Sequence, residues 1–367
     1  MRPETEAELA EMIASASGPI CVRGGGTRGV NLNGDVLETG GLSGITLYEP
    51  GSLTLVAQAG TALAGIEAAL DAEGQRLAFE PMDHRGLMGT SGEPTIGGVV
   101  AANVSGPRRV SVGACRDFML GVRYVDGTGS VVKNGGRVMK NVTGYDLVKL
   151  MSGSWGTLGV LTEVSLKVLP TPETAACILI TGLSDAEAVR VMAKALGSPF
   201  EVSGAAHGPL GPDGQPVTML RVEGFAGSVA YRAERVAGLF GDMDVRIESD
   251  PEAVAGVWAR VRDGAPFHGV AGDVWRVSCT PTLSAGLAAK IQADGVLYDW
   301  GGGLIWARVR EGTDVRARLG TFDGHATLVR GNGQPKFQPE PPEIAALSRG
   351  LRQKFDPKGI LNAGLMG

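Results

Sequence analysis

The sequence predicts an α+β protein built from two unlike domains and a C-terminal tail that returns to the first. Three observations carry this. Glycine supplies 57 of the 367 residues, well above the roughly 7% of ordinary proteins, and it gathers at 24–44, 86–106, 127–159 and 301–303. The pattern changes at Pro170 and Pro172, from short strands and glycine loops to a strand–helix–strand rhythm. Four prolines within 334–342 then set the last stretch apart. These breaks divide the chain into 1–172, 173–333 and 334–367. Glycine serves where the backbone turns with positive φ or approaches a ligand closely, so the first domain reads as tight loops around a ligand.

The elements follow in order. Thr5-x-x-Glu8 predicts a capping box for a first helix that buries Leu9, Met12 and Ile13. Residues 19–23 predict a strand running into Gly24-Gly25-Gly26-Thr27. Short strands are expected over 36–39, 45–48 and 53–58. Residues 61–73 carry Leu63, Ile66 and Leu70 at helical spacing, with Gly74 as the expected C-cap. Residues 118–125 and 131–132 flank Asp126-Gly127-Thr128-Gly129, a hairpin turn. Residues 160–168 alternate with period two until Pro170. In the second domain a strand over 177–181 precedes a helix over 184–196. A strand over 217–223 precedes a helix over 227–240, and Val245-Arg246-Ile247 follows. This β-α-β-β-α-β-like order predicts a smaller α+β cap. The tail predicts a helix over 343–355 and ends Phe355-Asp356-Pro357-Lys358-Gly359-Ile360-Leu361-Asn362.

Composition narrows the function. With 43% apolar and 20% charged residues, the chain has the material for two globular cores. Its 34 basic and 39 acidic residues leave a net charge of −5, which excludes a bulk electrostatic nucleic-acid binder. No run of about 18 apolar residues offers a membrane span. Met1-Arg2-Pro3-Glu4, with Glu6, Glu8 and Glu11, lacks the basic start and apolar core of a signal peptide. The four cysteines are scattered and form no C-x-x-C pair, so neither disulfides nor a metal cluster are expected. The expectation is a cytoplasmic protein.

The glycine loops carry the chemistry. Gly24-Gly25-Gly26-Thr27-Arg28-Gly29 satisfies G-x-G-x-x-G, but a dinucleotide-binding βαβ unit needs a helix directly after it. Val30-Asn31-Leu32-Asn33-Gly34-Asp35 has no helical pattern. A cluster of β-turns is one remaining reading. The better one is an anion cradle, in which consecutive N–H groups and the Thr27 hydroxyl point at one pyrophosphate. Residues 95–106, opening Thr95-Ile96-Gly97-Gly98, suit close contact with a planar ligand and equally a tightly packed helix start. A third segment pairs Lys140-Asn141-Val142-Thr143-Gly144-Tyr145-Asp146 with Gly153-Ser154-Trp155-Gly156-Thr157-Leu158-Gly159-Val160, whose glycines can line a pocket with backbone.

Together and in this order, the three segments resemble the FAD-binding domain of the vanillyl-alcohol oxidase and p-cresol methylhydroxylase (PCMH) type, over about 1–172 plus the tail. Within it, Gly106-Pro107-Arg108-Arg109, Arg116-Asp117-Phe118-Met119-Leu120-Gly121-Val122, the 140–146 segment, Asp299-Trp300-Gly301-Gly302-Gly303 with Trp306, and Gly324-His325-Ala326-Thr327-Leu328 are similar to the FAD-binding glycolate oxidase subunits. That similarity covers nearly the whole chain. It implies a two-subdomain PCMH-type FAD domain, a cap, and FAD held non-covalently, since the first loop has no His or Cys for attachment. It also implies cofactor contacts from Arg23, Gly24, Gly25, Gly26, Thr27, Pro81, Met82, Thr95, Gly97, Gly98, Ala101, Ser105, Gly106, Arg108, Gly156, Gly159, Val160 and Asn362.

The resemblance further implies a complex that oxidises glycolate to glyoxylate. A sister catalytic flavin subunit takes the hydride, and an iron–sulfur subunit passes electrons to the membrane chain. The small 2-hydroxy acid is then met through the complex, nucleic acid is not a partner, and contact with the cytoplasmic face of the inner membrane is indirect.

Two departures matter. Catalytic 2-hydroxy-acid members carry a metal-binding histidine pair and a Glu-His dipeptide. Here the histidines are His84, His207, His268 and His325, and no Glu-His occurs. Metal-assisted deprotonation therefore lacks its ligands, and the chain is expected to bind FAD without oxidising glycolate alone. The tail reads Asn362-Ala363-Gly364-Leu365 where relatives read N-P-G and a basic residue. The rival readings are a stand-alone FAD dehydrogenase of another small 2-hydroxy acid and a non-catalytic scaffold subunit.

Among side chains, His325 is the catalytic candidate, against a structural role. His84 falls in a loop expected near the flavin, whereas His207 and His268 read as cap surface. Arg108 and Arg109 either clamp a carboxylate or pyrophosphate, or form a solvated pair. Lys140, Asn141 and Tyr145 line a pocket or pack. Cys115 reads as an inert buried thiol. Trp275, Trp300 and Trp306 read as cap core, or as the place where a partner docks.

Overall fold

A computed structural model describes residues 1–137, 144–211 and 214–366; Lys140 and Asn141 lie outside them. The first helix, Glu6–Ser15, starts where Thr5 Oγ1 accepts from Glu8 N at 3.1 Å. The Glu8 carboxylate reaches Glu4 N instead of Thr5 N, so the capping box is displaced by one residue. Leu9 and Ile13 are buried and Met12 only partly. Strands Ile20–Arg23 and Asp35–Glu38 pair in parallel. No helix follows Gly26, which rules out the dinucleotide-binding βαβ unit. Beside this pair lies a five-stranded antiparallel sheet in the order Ile45–Glu49, Thr54–Gln58, Val160–Lys167, Met119–Val125, Val131–Gly135. Helix Leu63–Asp71 buries its predicted apolar face, and Gly74 follows its cap at φ +62°.

The strand after Pro172 joins a different sheet. Eight strands run in the order Asp244–Glu248, Thr174–Thr181, Val217–Gly224, Gly204–Gly208, Gly295–Asp299, Leu304–Val309, Asp273–Cys279, Gly324–Arg330. Sequence patterning finds the first three. It misses the other five, so the cap, though shorter in sequence than the first domain, carries the larger sheet. Alternation sets its two faces. Ile178, Ile180, Leu220, Val222, Val277 and Ile305 meet helices Asp185–Leu196, Ala226–Gly238 and Ser284–Ile291. Cys177, Met219, Val274, Leu304 and Trp306 share one apolar core with Phe79, Ile96 and Leu166 of the first domain. The cap thus buries one sheet face against its own helices and the other against the first domain.

His207 is not on the surface. It is fully buried in strand Gly204–Gly208, with Nδ1 2.9 Å from Thr218 Oγ1 and Nε2 3.4 Å from Asp185. Trp275 is buried core beneath Arg316, as the cap-core reading expects, whereas Trp300 and Trp306 line a cavity. The tail helix Pro342–Phe355 leads to Ile360 and Leu361, which fill the small core of Leu9, Ile13, Ile20 and Leu37. No helix among the described residues is long and apolar enough to cross a membrane.

Candidate functional site

A groove in the first domain is lined by backbone. Strand Ile20–Arg23 delivers Gly24–Gly26 against residues 92–95. A Cβ on Gly25 would lie 1.6 Å from the Glu93 carbonyl oxygen, so only glycine allows the two backbones to touch there. Thr95 caps helix Ile96–Ala101, its Oγ1 accepting from Gly98 N at 3.3 Å. The helix-start reading of this segment holds, and its first turn also lines the groove. Trp155, Gly156 and Gly159 continue the lining, with Trp155 N donating to the Ala101 carbonyl at the end of that helix at 2.8 Å. Asn362 ties the tail to strand Ile20–Arg23 and to Trp155. Its Oδ1 accepts from Val22 N at 2.8 Å and its Nδ2 donates to the Trp155 carbonyl at 2.7 Å. Leu365 lines the groove three residues on.

Arg23, Gly24, Gly25, Gly26, Thr27, Thr95, Gly97, Gly98, Ala101, Gly156, Gly159 and Asn362 line this groove. Met82, Ser105 and Gly106 line a second cavity, described below, and Pro81 and Arg108 a third. Val160 lines none of them and packs in the small core.

Arg28 was not among the expected contacts, although it stands inside the first glycine motif. It lines both the groove and the second cavity. Its guanidinium carbon lies 6.0 Å from the Trp155 ring centroid, and its buried Nε has no hydrogen-bond partner. Burial pulls its pKa down to about 10. No Asp or Glu lines the groove among the described residues. Backbone N–H groups, a hydroxyl and an unpaired guanidinium, with no opposing carboxylate, suit a pyrophosphate.

The groove opens into a chamber between the domains. Its cap wall follows from strand register. Arg276 stands opposite Trp306 on one side and Thr327 on the other, and Ser278 opposite Leu304 and His325. With period-two alternation, two rows of three residues share the face toward the first domain, and all six line the chamber. From the first domain come Arg28, His84 and Arg109, and from the linker Lys336 and Phe337.

Trp300 organises the chamber. Its Nε1 donates to the Gly106 carbonyl at 3.0 Å, and its backbone takes φ +55°. Arg109 and Arg276 place their guanidinium carbons 4.6 Å and 4.9 Å from its ring centroid. Phe337 meets Trp155 edge-on at 5.2 Å. Among the eight described non-glycine residues with positive φ, Asn103, Trp155, Trp300 and Asn362 line the groove or chamber. Backbone strain of this kind collects where a site must be held in one shape.

Burial dominates the electrostatics of the chamber. It pulls Arg276 down to about 10, aided by Arg109, and Lys336 down to about 8, aided by Arg28. His84 falls to about 3 through burial and Arg28, its Nδ1 3.2 Å from the Met82 carbonyl. His325 is lowered by burial, then by Arg276 and Arg109, so its imidazole is neutral at pH 7. Burial lifts Asp299 to about 7, while its Oδ1 accepts from Trp300 N at 2.7 Å.

Arg108 points elsewhere. Its guanidinium lies 2.7 Å from Glu80 and 2.8 Å from Glu223, and Arg221 and Arg76 complete the cluster at 2.9 Å and 3.1 Å. Glu80 is in the first domain and Glu223 in the cap, so Arg108 ties the domains together and faces carboxylates where a cofactor contact was expected. Arg108 is no solvated side chain, and the carboxylates it clamps are those of Glu80 and Glu223. Tyr145 is exposed. Cys115 is buried and its thiol pushed far up by desolvation.

Comparison with known proteins places this geometry. A family described as an FAD binding domain matches residues 1–135. The chain is 36% identical over 355 residues to the glycolate oxidase subunit GlcE of Escherichia coli (strain K12), covering 95% of this chain and 92% of that protein. It is 34% identical over 169 residues to the glycolate oxidase subunit GlcD of Bacillus subtilis (strain 168), covering 44% and 34%. Among solved structures, alkyldihydroxyacetonephosphate synthase superposes with a TM-score of 0.71 over 99% of this chain and 75% of that one, at 17% identity, a likeness of fold.

Proposed function

This chain belongs to the family of FAD-binding glycolate oxidase subunits, and from that premise we propose that it is the flavin-holding E-type subunit of a complex that oxidises glycolate to glyoxylate. Its cofactor is FAD. The observation that carries the reading is the groove itself, a glycine cradle beside the unpaired Nε of Arg28. In this reading residues 1–172 hold FAD, 173–333 form the cap and 334–367 close the groove. Gly24–Thr27, Gly97 and Gly98 take the pyrophosphate, with Arg28 as counter-charge. Gly156, Gly159 and Asn362 complete the lining.

Bound FAD supplies the acceptor for a hydride. The protein orients it, shields it from water and sets its electrostatic surroundings. The partners in this proposal are a sister flavin subunit that takes the substrate hydride and an iron–sulfur subunit that carries electrons to the membrane. The chain itself stays cytoplasmic and meets the membrane only through them.

The test is the absorption spectrum of the purified chain, before and after glycolate is added without oxygen. A flavin spectrum that stays oxidised supports a partner-dependent subunit. Bleaching would show turnover by this chain alone and favour a stand-alone dehydrogenase. A chain that takes up no FAD would overturn the proposal in favour of a scaffold.

A further inference from the structure

We infer that the tail helix Pro342–Phe355, with the groove along its inner side, is the seat for an acidic segment of a sister subunit. The inference rests on the reading of this chain as one subunit of an oxidase complex.

The helix has little packing of its own. None of its fourteen residues is buried. Its most covered residues, Ala345, Ser348, Arg352 and Phe355, recur at helical spacing and are only partly buried. A helix of this length is marginal in water without a packed face, and Gly350 in its interior weakens it further. Beside the covered strip, Ile344, Leu347 and Leu351 form an apolar row, 48%, 67% and 40% exposed. Single apolar side chains on a surface are ordinary. Three at i, i+3 and i+7 of one helix are the anchors by which a helix enters a partner's groove.

Charge selects the occupant. The groove between the helix and the linker measures about 820 Å³. Lys336, Arg349 and Arg352 line it against one carboxylate, Glu340, which already accepts from Ser348 Oγ at 3.0 Å. Arg349, and Lys354 in the last turn, have no hydrogen bond or ion pair with any described residue. The chain as a whole carries a net charge of −5, so this basic and apolar face is unlike the rest of it. Two copies joined face to face would set like charges together, whereas Asp and Glu side chains of a different protein would complement them. Asn31, Asn332 and Gln334 also line the groove. Their amides can pair with the backbone of a protein segment, which a lipid surface does not supply. Leu365 is shared with the first-domain groove and Phe337 with the chamber, so the occupant lies against the walls of the cofactor site, a place suited to a subunit that works with the cofactor.

The test uses the full chain co-expressed with the sister flavin and iron–sulfur subunits and purified through a tag on this chain. Flavin content and melting temperature are recorded for every variant. Leu347→Asp places a charge in the apolar row, and Arg349→Glu combined with Lys354→Glu reverses the basic flank. All three positions are exposed, so flavin content and melting temperature should not change. Each variant should lower the yield of co-purified sister subunits at least tenfold, and Arg349→Lys should retain most of it. Arg246→Glu, the same reversal on an exposed edge strand of the cap, should leave the yield unchanged. A photoreactive phenylalanine analogue in place of Leu347 should cross-link to an Asp- or Glu-rich segment of one sister subunit. A wild-type chain that captures neither subunit overturns the functional reading and this inference with it. A complex that survives both variants, or that is lost equally with Arg246→Glu, overturns the inference alone. So does self-association of the lone chain, or its sedimentation with phosphatidylglycerol vesicles, if the same variants abolish it; the face would then belong to a second copy or to a membrane.

Discussion

Arg108 and Arg109 are neighbours in sequence and have opposite surroundings. Arg108 lies in a cluster of three arginines and two glutamates that joins the domains. Arg109 lies on Trp300 with Arg276, among cations that no described carboxylate pairs. Both places are seams between the first domain and the cap. The paired seam is complete in itself and acts as a fastening, whereas at the other the two guanidinium groups lie on an aromatic ring with no ion pair to a described carboxylate. Charge balance, more than the presence of arginine, separates structure from site.

The comparison breaks most sharply at Glu223. Glu223→Ala leaves Arg76 and Arg108 short of a buried partner and should cost about 3–5 kcal/mol, read by denaturant unfolding of the flavin-free chain. A loss under about 1 kcal/mol would make the fastening no better than a surface pair. Arg28→Gln should act the other way. It should raise the FAD dissociation constant at least tenfold, about 1.4 kcal/mol, without lowering the melting temperature of the flavin-free chain, because it removes an uncompensated buried charge. A drop in that temperature would give Arg28 a structural role.

Titration sharpens the same contrast. Burial opposes ionisation of Glu80 and Glu223, but the arginines around them outweigh it and hold both below the usual carboxylate range. Their contribution is complete above the unfolded value of about 4.3 and is lost as pH falls below it. His84, held at about 3, has an unfolded value of about 6.5, so its contribution is complete above that and declines as the solution is acidified. Asp299, lifted to about 7, has the opposite sign: its contribution is complete below about 3.9 and is lost as pH rises to 7. Melting curves of His84→Asn should therefore lose less stability than wild type on acidification from pH 6.5. Those of Asp299→Asn should lose less as pH rises from 4 to 7. Parallel curves for wild type and variants would refute these assignments. The smallest effect is expected at the exposed Arg246–Glu248 pair, where Arg246→Gln should change stability by under about 1 kcal/mol.

The groove was far more legible in the sequence than the chamber. Gly25 and Gly97 announce themselves because backbone approaches too closely for a Cβ, and Gly26 and Gly156 because their φ is positive. Arg28 stands within the first motif, and its role could have been sought there. The chamber left no local mark. Arg276, Trp300 and His325 are separated in sequence and meet through sheet register alone. Strand Gly204–Gly208 reads GAAHG; it is buried on both faces and shows no alternation to detect. The same burial took His207 from a supposed surface position into the core.

What the sequence determined by itself is the set of places where chain geometry is intolerant: the glycine contacts, the helix caps, the proline breaks and the alternating strands of the first domain. These depend on residues within a few positions of one another. Only the tertiary structure decided that Arg108 is paired and Arg109 is not, that Arg276 faces the first domain, and that Asn362 closes the groove. Those outcomes depend on which charges and surfaces face one another across two sheets, and electrostatic balance is a property of the assembled neighbourhood rather than of any segment within it.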